Sequence, residues 1–247
     1  MIQAADIHCH IIPYVDDGAL RVQESEELVE MLAAQGVRTV CCTPHLRRHM
    51  FETPDEEIRL QFERLLARSQ NLDVPMQFYL SREYHCDELL RKKLDAGEIL
   101  PLGRGNVLLA EFSYRHPAED ILNYIRLIRS YGYQPLIAHA ERYAATENLA
   151  QAARFIEAGA LIQMNASSLL GAEGRRQASL CRKLLKEDLV HVIASDAHDP
   201  SDRPPEIDTC AAYLERKFGT ETAERLLHTN PLQILNVSDG GSEHADS

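Results

Sequence analysis

No apolar run in this chain approaches the roughly 18 residues that span a bilayer, and no basic stretch leads into a hydrophobic one at its start. Membrane insertion is therefore not expected, and a cytoplasmic location is. Positive charge is scarce as well: 26 Lys and Arg stand against 38 Asp and Glu, a formal net charge of −12. Nonspecific nucleic-acid binding needs a basic surface and is excluded on that ground. No C-x-x-C pair occurs among Cys9, Cys41, Cys42, Cys86, Cys181 and Cys210, so free thiols in a reducing compartment are expected. No glycine-rich phosphate loop follows the first apolar segment, which counts against a dinucleotide fold. No linker rich in proline, glycine or serine appears before the end. Residues 1–237 are accordingly read as one domain, and the polar segment 238–247 as a disordered tail.

What is present alternates. Short apolar, β-branched segments are expected as strands near 4–8, 37–43, 76–82, 106–112, 134–139, 159–164 and 189–195. Amphipathic stretches lie between them. Around 23–35, Leu28, Met31 and Leu32 recur at helical spacing before Gly36; around 118–131, Ile121, Leu122, Ile125 and Ile128 do so before Gly132. Pro54-Asp55-Glu56-Glu57 opens another helix, with proline first and acids in the first turn. Seven strands, each followed by a helix, imply an α/β fold with a parallel sheet, either open and doubly wound or closed into a barrel.

The polar residues fall in one place on that map. His8 and His10 sit at the end of the first strand, and residues i and i+2 of a strand share a face. Asp17 follows closely. Later strands run into His45, Glu83, Glu111, His139 and finally Asp196 with His198. Six of the seven expected strands thus finish in a His, Asp or Glu, and in a parallel barrel all strand C-termini open onto one mouth. Singly, His45 or His139 reads as a loop histidine bonded to a carbonyl, and Glu83 or Glu111 as a surface carboxylate. Together, five histidines and four carboxylates with no essential thiolate suit two or three ions of manganese, iron or zinc. His49, His85, His116, His191, His228 and His244 lack this placement and are read as structural or solvated.

In this order, Asp6-x-His8-x-His10, Asp16-Asp17-Gly18, Thr43-Pro44-His45, the isolated glutamates, His139-x-Glu141-Arg142 and Ser195-Asp196-x-His198 resemble the polymerase-and-histidinol-phosphatase (PHP) superfamily. Within it the chain is most similar, over residues 1–237, to the manganese-dependent bacterial protein-tyrosine phosphatases of capsule and exopolysaccharide gene clusters. The resemblance implies a distorted (β/α)7 barrel with a trinuclear metal centre at the C-terminal ends of the strands. It implies one ion held by His8, His10, Glu83 and Asp196, a second by Glu83, Glu111 and His139, and a third by Asp17, His45 and His198. Arg142 and Arg203 would hold the substrate phosphate. Manganese is the expected metal, with iron or zinc as alternatives. The implied partner is a phosphotyrosine protein, a tyrosine autokinase tail. Two positions depart from the family pattern: Ala140 stands where proline is usual, and Ser81-Arg82 where glycine and glutamine are.

Three other readings compete. Cys41 with Arg47, and Cys42 with Arg48, have the C-x5-R spacing of thiol-dependent tyrosine phosphatases, but the intervening Thr43-Pro44-His45-Leu46 has no glycine and a proline without a donor. The substrate could instead be a small phosphomonoester such as histidinol phosphate or a nucleotide phosphate. A non-catalytic binding module is the last, and the filled ligand positions oppose it.

Overall fold

A computed structural model describes residues 2–70 and 74–237; the expected tail, 238–247, lies outside the described residues. Among the described residues the strands are β1 (Ala4–Cys9), β2 (Val37–Cys42), β3 (His45–Leu46), β4 (Gln77–Leu80), β5 (Glu83–His85), β6 (Val107–Glu111), β7 (Gln134–Ile137), β8 (Leu161–Asn165) and β9 (Val192–Ala194). The helices are α1 (Val22–Ala34), α2 (Asp55–Ser69), α3 (Glu88–Ala96), α4 (Ala118–Ser130), α5 (Leu149–Glu157), α6 (Ala166–Leu170), α7 (Arg175–Lys186), α8 (Ile207–Phe218), α9 (Thr220–Glu224) and α10 (Asn230–Leu235).

Local chemistry accounts for the helix ends. Pro54 and Pro117 precede α2 and α4, whose first turns are acidic. The Asp87 carboxylate caps α3 by accepting from the N–H groups of Leu89 and Leu90 at 2.7 and 3.3 Å. Gly36, at φ 85°, carries the left-handed turn that ends α1. As its spacing predicts, α4 buries Ile121, Leu122, Ile125 and Ile128. In α1 the buried face is Leu28, Val29 and Leu32, and Met31 is only half-buried. Each fully buried Leu or Ile contributes about 1.5–3 kcal/mol.

All strand pairings are parallel, in the orders β1-β2-β4 and β3-β5-β6-β7-β8-β9. The sheet curves as a half-barrel with helices outside. Its first strand meets the segment after its last, where Asp196 N–H donates to His8 O and His10 N–H to Ala197 O, both at 2.8 Å.

Two expected strands are broken. The segment 37–43 gives way at Thr43-Pro44 before β3, and 76–82 at Ser81-Arg82 before β5. Pro44 has no N–H to offer a ladder, yet its carbonyl still accepts from Glu83 N–H at 3.1 Å. The chain therefore keeps both its direction and its register, with Cys42 opposite Leu80 before the break and His45 opposite Glu83 after it, and the interruption falls just before His45 and Glu83.

Candidate metal centre

Four side-chain atoms converge around the His8–His10 pair. His8 Nε2 and His10 Nε2 are 3.3 Å apart, Glu83 Oε2 is 3.3 Å from each, and Asp196 Oδ1 lies 3.4 and 3.5 Å from them. His8, His10 and Asp196 form one group of candidate ligands, with ligand atoms within 4.8 Å of one another, and Glu83 Oε2 stands beside the two histidines. Imidazole nitrogens and carboxylate oxygens are donors that such cations take. All four residues are buried. They are the set expected for the first ion.

A second group gathers His45, Glu83 and Glu111, and a third His10, Asp17, His45 and His198. His45 Nδ1 lies 2.9 Å from Glu83 Oε2 and 4.0 Å from Glu111 Oε2, and its Nε2 lies 3.4 Å from Asp17 Oδ1. His198 Nε2 is 3.7 Å from that same oxygen. Asp17 is half exposed and forms the outer lip. The grouping differs from expectation in two places. His45 stands between the second and third groups, and His139 faces the other Glu83 oxygen, its Nε2 2.9 Å from Oε1. His139 Nδ1 meets the Tyr143 hydroxyl at 3.2 Å, which leaves Nε2 as the ring atom turned toward Glu83.

The donor set fits divalent cations. His45 Nδ1, Glu83 Oε2 and His198 Nε2 are buried with no hydrogen-bond partner; the first two are close to each other but not aligned to bond. Such orphaned atoms are costly unless something else satisfies them. The electrostatics agree. Burial alone would lower the pKa of His8, but the Glu83 and Asp196 carboxylates outweigh it and push it to about 9. Burial likewise opposes the charged form of His45, and Glu83 raises its pKa to about 10. Burial and the neighbouring His10 hold His198 well below its ordinary value. Burial would raise the Asp196 carboxyl, yet His8, His198, Arg203 and Arg142 hold it well below the usual range. A cluster of this kind attracts positive charge.

Residues around the cluster were less legible in the sequence. Asp16, the first acid of Asp16-Asp17-Gly18, bonds His10 Nδ1 at 2.8 Å and His45 N–H at 2.9 Å. It can do so because a Cβ on Gly18 would stand 2.0 Å from the His10 carbonyl oxygen; only glycine fits there. His85 is not solvated: it is buried, with Nδ1 3.0 Å from Glu111 Oε2. Gln163 and Asn165 of β8 reach His8 and Asp196. Their signal was two amides on one face of a buried strand, the one strand without an expected ligand. At the unusual Ser81-Arg82, the Arg82 guanidinium is buried and donates to His45 O, Thr53 O and Asp55 Oδ1. It ties the His45 segment to β5.

Arg142 Nη1 and Arg203 Nη2 donate to Asp196 Oδ2 at 3.0 and 2.9 Å, and Arg142 Nε also donates to Glu173 Oε1. Both therefore flank the cluster. The C-x5-R reading loses its nucleophile: Cys41 and Cys42 lie in β2 with no exposure, and burial pushes the Cys41 thiol well above its ordinary pKa.

Comparison with known proteins gives the same picture. The chain is 35% identical over 238 residues to the tyrosine-protein phosphatase CpsB of Streptococcus pneumoniae, covering 93% of this chain and 97% of that one. It is 29% identical over 232 residues to the tyrosine-protein phosphatase YwqE of Bacillus subtilis, covering 94% and 91%. A crystal structure from work on YwqE and CpsB, described there as unique metal-dependent tyrosine phosphatases, superposes with a TM-score of 0.86 at 29% identity over 95% of each chain. The phosphotriesterase homology protein of Escherichia coli shares the fold, with a TM-score of 0.61 at 15% identity over 94% of this chain and 98% of that one. The profile of the family described as capsular polysaccharide synthesis, CpsB/CapC, matches residues 4–236, and the chain belongs to that family.

Proposed function

We infer that this chain is a metal-dependent tyrosine-protein phosphatase, a phosphoric monoester hydrolase that removes phosphate from phosphotyrosine. The observation that carries this reading is the convergence of buried His8, His10, Glu83 and Asp196 side-chain atoms at the mouth of the parallel sheet. We read the fold as a distorted (β/α)7 barrel of the PHP type in one domain, 1–237, with β2–β3 and β4–β5 each counting as one interrupted strand. His8, His10, Glu83 and Asp196 would hold one cation, Glu83, Glu111 and His139 a second, and Asp17, His45 and His198 a third, with manganese as the metal.

When bound, such cations lower the pKa of water and neutralise charge on the phosphoryl oxygens. The protein's own part is to position and to hold charge. Asp196 Oδ2 is occupied by the two arginines, so Oδ1 is the oxygen turned toward the histidines. Arg142 and Arg203 remain within reach of a phosphate seated over the cluster, and each can offer it forked, charge-assisted hydrogen bonds. The phenolate of tyrosine leaves readily enough that a strong general acid is not demanded of the chain. The substrate is read as the tail of a tyrosine autokinase in capsule or exopolysaccharide synthesis. A cytoplasmic site of action fits that substrate, and among the described residues no helix is long and apolar enough to cross a membrane.

The test is hydrolysis of phosphotyrosine peptides by the manganese-loaded chain, compared with histidinol phosphate, nucleotide phosphates and aryl phosphate. Phosphopeptides are expected to win, and a chelator to abolish the rate. A small metabolite preferred by orders of magnitude would overturn the protein substrate, and no hydrolysis of any ester would overturn the enzyme.

A further inference from the structure

One strand of the sheet ends in no candidate ligand. On β8, Gln163 and Asn165 share a face, both without exposure, and between them they touch three of the residues that line the cluster. We propose that Gln163 and Asn165 form a positioning relay that sets which atoms His8, His139 and Asp196 present to the cations. The inference rests on the reading of this site as a metal centre and deepens it.

The polarity of the relay follows from a single group. The His139 backbone N–H can only donate, and it donates at 2.6 Å to the side chain of Gln163, so the amide atom there is the oxygen, Oε1. That oxygen also faces His8 Nδ1 at 3.1 Å, so His8 carries hydrogen on Nδ1 and turns the lone pair of Nε2 toward His10, Glu83 and Asp196. Gln163 Nε2 must then donate, and it meets Asn165 Oδ1 at 2.7 Å. Asn165 Nδ2 is left to donate to Asp196 Oδ2, again at 2.7 Å. With Oδ2 engaged, Asp196 presents Oδ1.

The backbone gives the relay something to hold. His139 and Asp196 are both non-glycine residues in left-handed conformations, φ 31° and 53°. Strained residues of this kind persist only where their surroundings over-determine them. Gln163 grips the amide of the first, and Asn165 the carboxylate of the second. Partners behind a ligand fix its tautomer and orientation, and their loss typically costs about 10–100-fold in metal affinity.

The experiment uses the full chain stripped of metal and titrated with manganese or zinc by calorimetry, with nitrogen-15 imidazole NMR on the zinc-loaded wild type. His8 is expected as the Nδ1–H tautomer. Gln163→Leu and Asn165→Leu are each expected to weaken cation affinity about 10–100-fold. Gln163→Glu keeps acceptors for both His8 and His139 but loses the donor to Asn165 Oδ1. It is expected to keep the His8 Nδ1–H tautomer while recovering only part of the Gln163→Leu loss, a split that a purely structural role would not require. A variant that fails to fold is replaced by Gln163→Glu and by the tautomer measurement, which needs no variant. Affinity unchanged in folded Gln163→Leu, or a His8 Nε2–H tautomer, overturns the relay and leaves the metal centre intact. Absence of any cation binding by the wild type overturns the metal centre, and the relay with it.

Discussion

On β6, Val107 and Leu109 share a face with Glu111, yet the first two sit in an apolar cluster and the third in the candidate metal centre. On β9, Val192 lies in that same cluster, while Asp196, just past the end of the strand, faces His8 and His10. The barrel-like sheet thus has two halves along the same strands. Toward the strand N-termini it is filled by Ile7, Cys41, Leu109, Leu136 and Val192 and sealed by Leu102, Ile234 and Leu235. Toward the C-termini it is filled by imidazoles and carboxylates. The lower half gains free energy from burial. The upper half loses it by desolvating charge, offset by mutual pairing and by whatever cations the site holds. Stability is therefore concentrated below and chemistry above, with the same backbone rigidly joining them.

Substitutions should separate the halves. Removing one candidate ligand by His10→Ala or Asp196→Asn is expected to lower phosphotyrosine hydrolysis by about a thousandfold or more, the several kcal/mol a metal centre supplies. Metal analysis should show a depleted site, and a variant that kept both metal and rate would break the division. Leu109→Ala in the lower half should cost about 2–5 kcal/mol in denaturant unfolding while the rate per folded molecule holds. Arg142→Ala is expected to cut kcat/KM about 10–100-fold through lost phosphate contacts, with metal content unchanged. Loss of metal along with Arg142 would give it a structural role instead. Cys41→Ser sharpens the contrast further, costing about 1–3 kcal/mol by burying a hydroxyl in the apolar half without abolishing activity.

The smallest effect is expected below the sheet. His191 Nδ1 accepts from Ile162 N–H at 3.2 Å, and burial, helped by Arg225 and opposed by Asp188, lowers its pKa from 6.5. The unfolded chain then takes up the proton first. Stability is full above pH 6.5 and falls as the pH drops from there toward the folded value, below which both states are protonated. Urea midpoints between pH 8 and 5 should decline less in His191→Asn than in the wild type. An identical decline would remove His191 from the account.

Much of this was legible because local rules carry it. The i, i+2 spacing of His8 and His10, the helical periodicity of α4 and the placement of acids at strand ends all follow from backbone geometry within a few residues. The strand breaks at Pro44 and Arg82 were not, since whether a ladder is interrupted depends on the neighbouring strand as well as on the local sequence. Nor was the part played by His85, which has no strand-end placement and becomes relevant only because β5 pairs with β6 and sets it against Glu111. Asp16 could be seen in the Asp-Asp-Gly motif, but which of the two acids faces His10 turns on how closely Gly18 packs there.

Residue type and order by themselves determined that histidines and carboxylates would gather at the ends of parallel strands, because alternation and strand–helix succession constrain the chain locally. Only the folded arrangement decided which atoms meet: that Asp196 turns Oδ1 inward, that His45 stands between two groups, and that two amides on an unmarked strand connect three others. Those outcomes depend on distances of a few tenths of an ångström between residues more than a hundred positions apart, such as His8 and Gln163. Close packing across strands sets such distances, and nothing in the linear order encodes them directly.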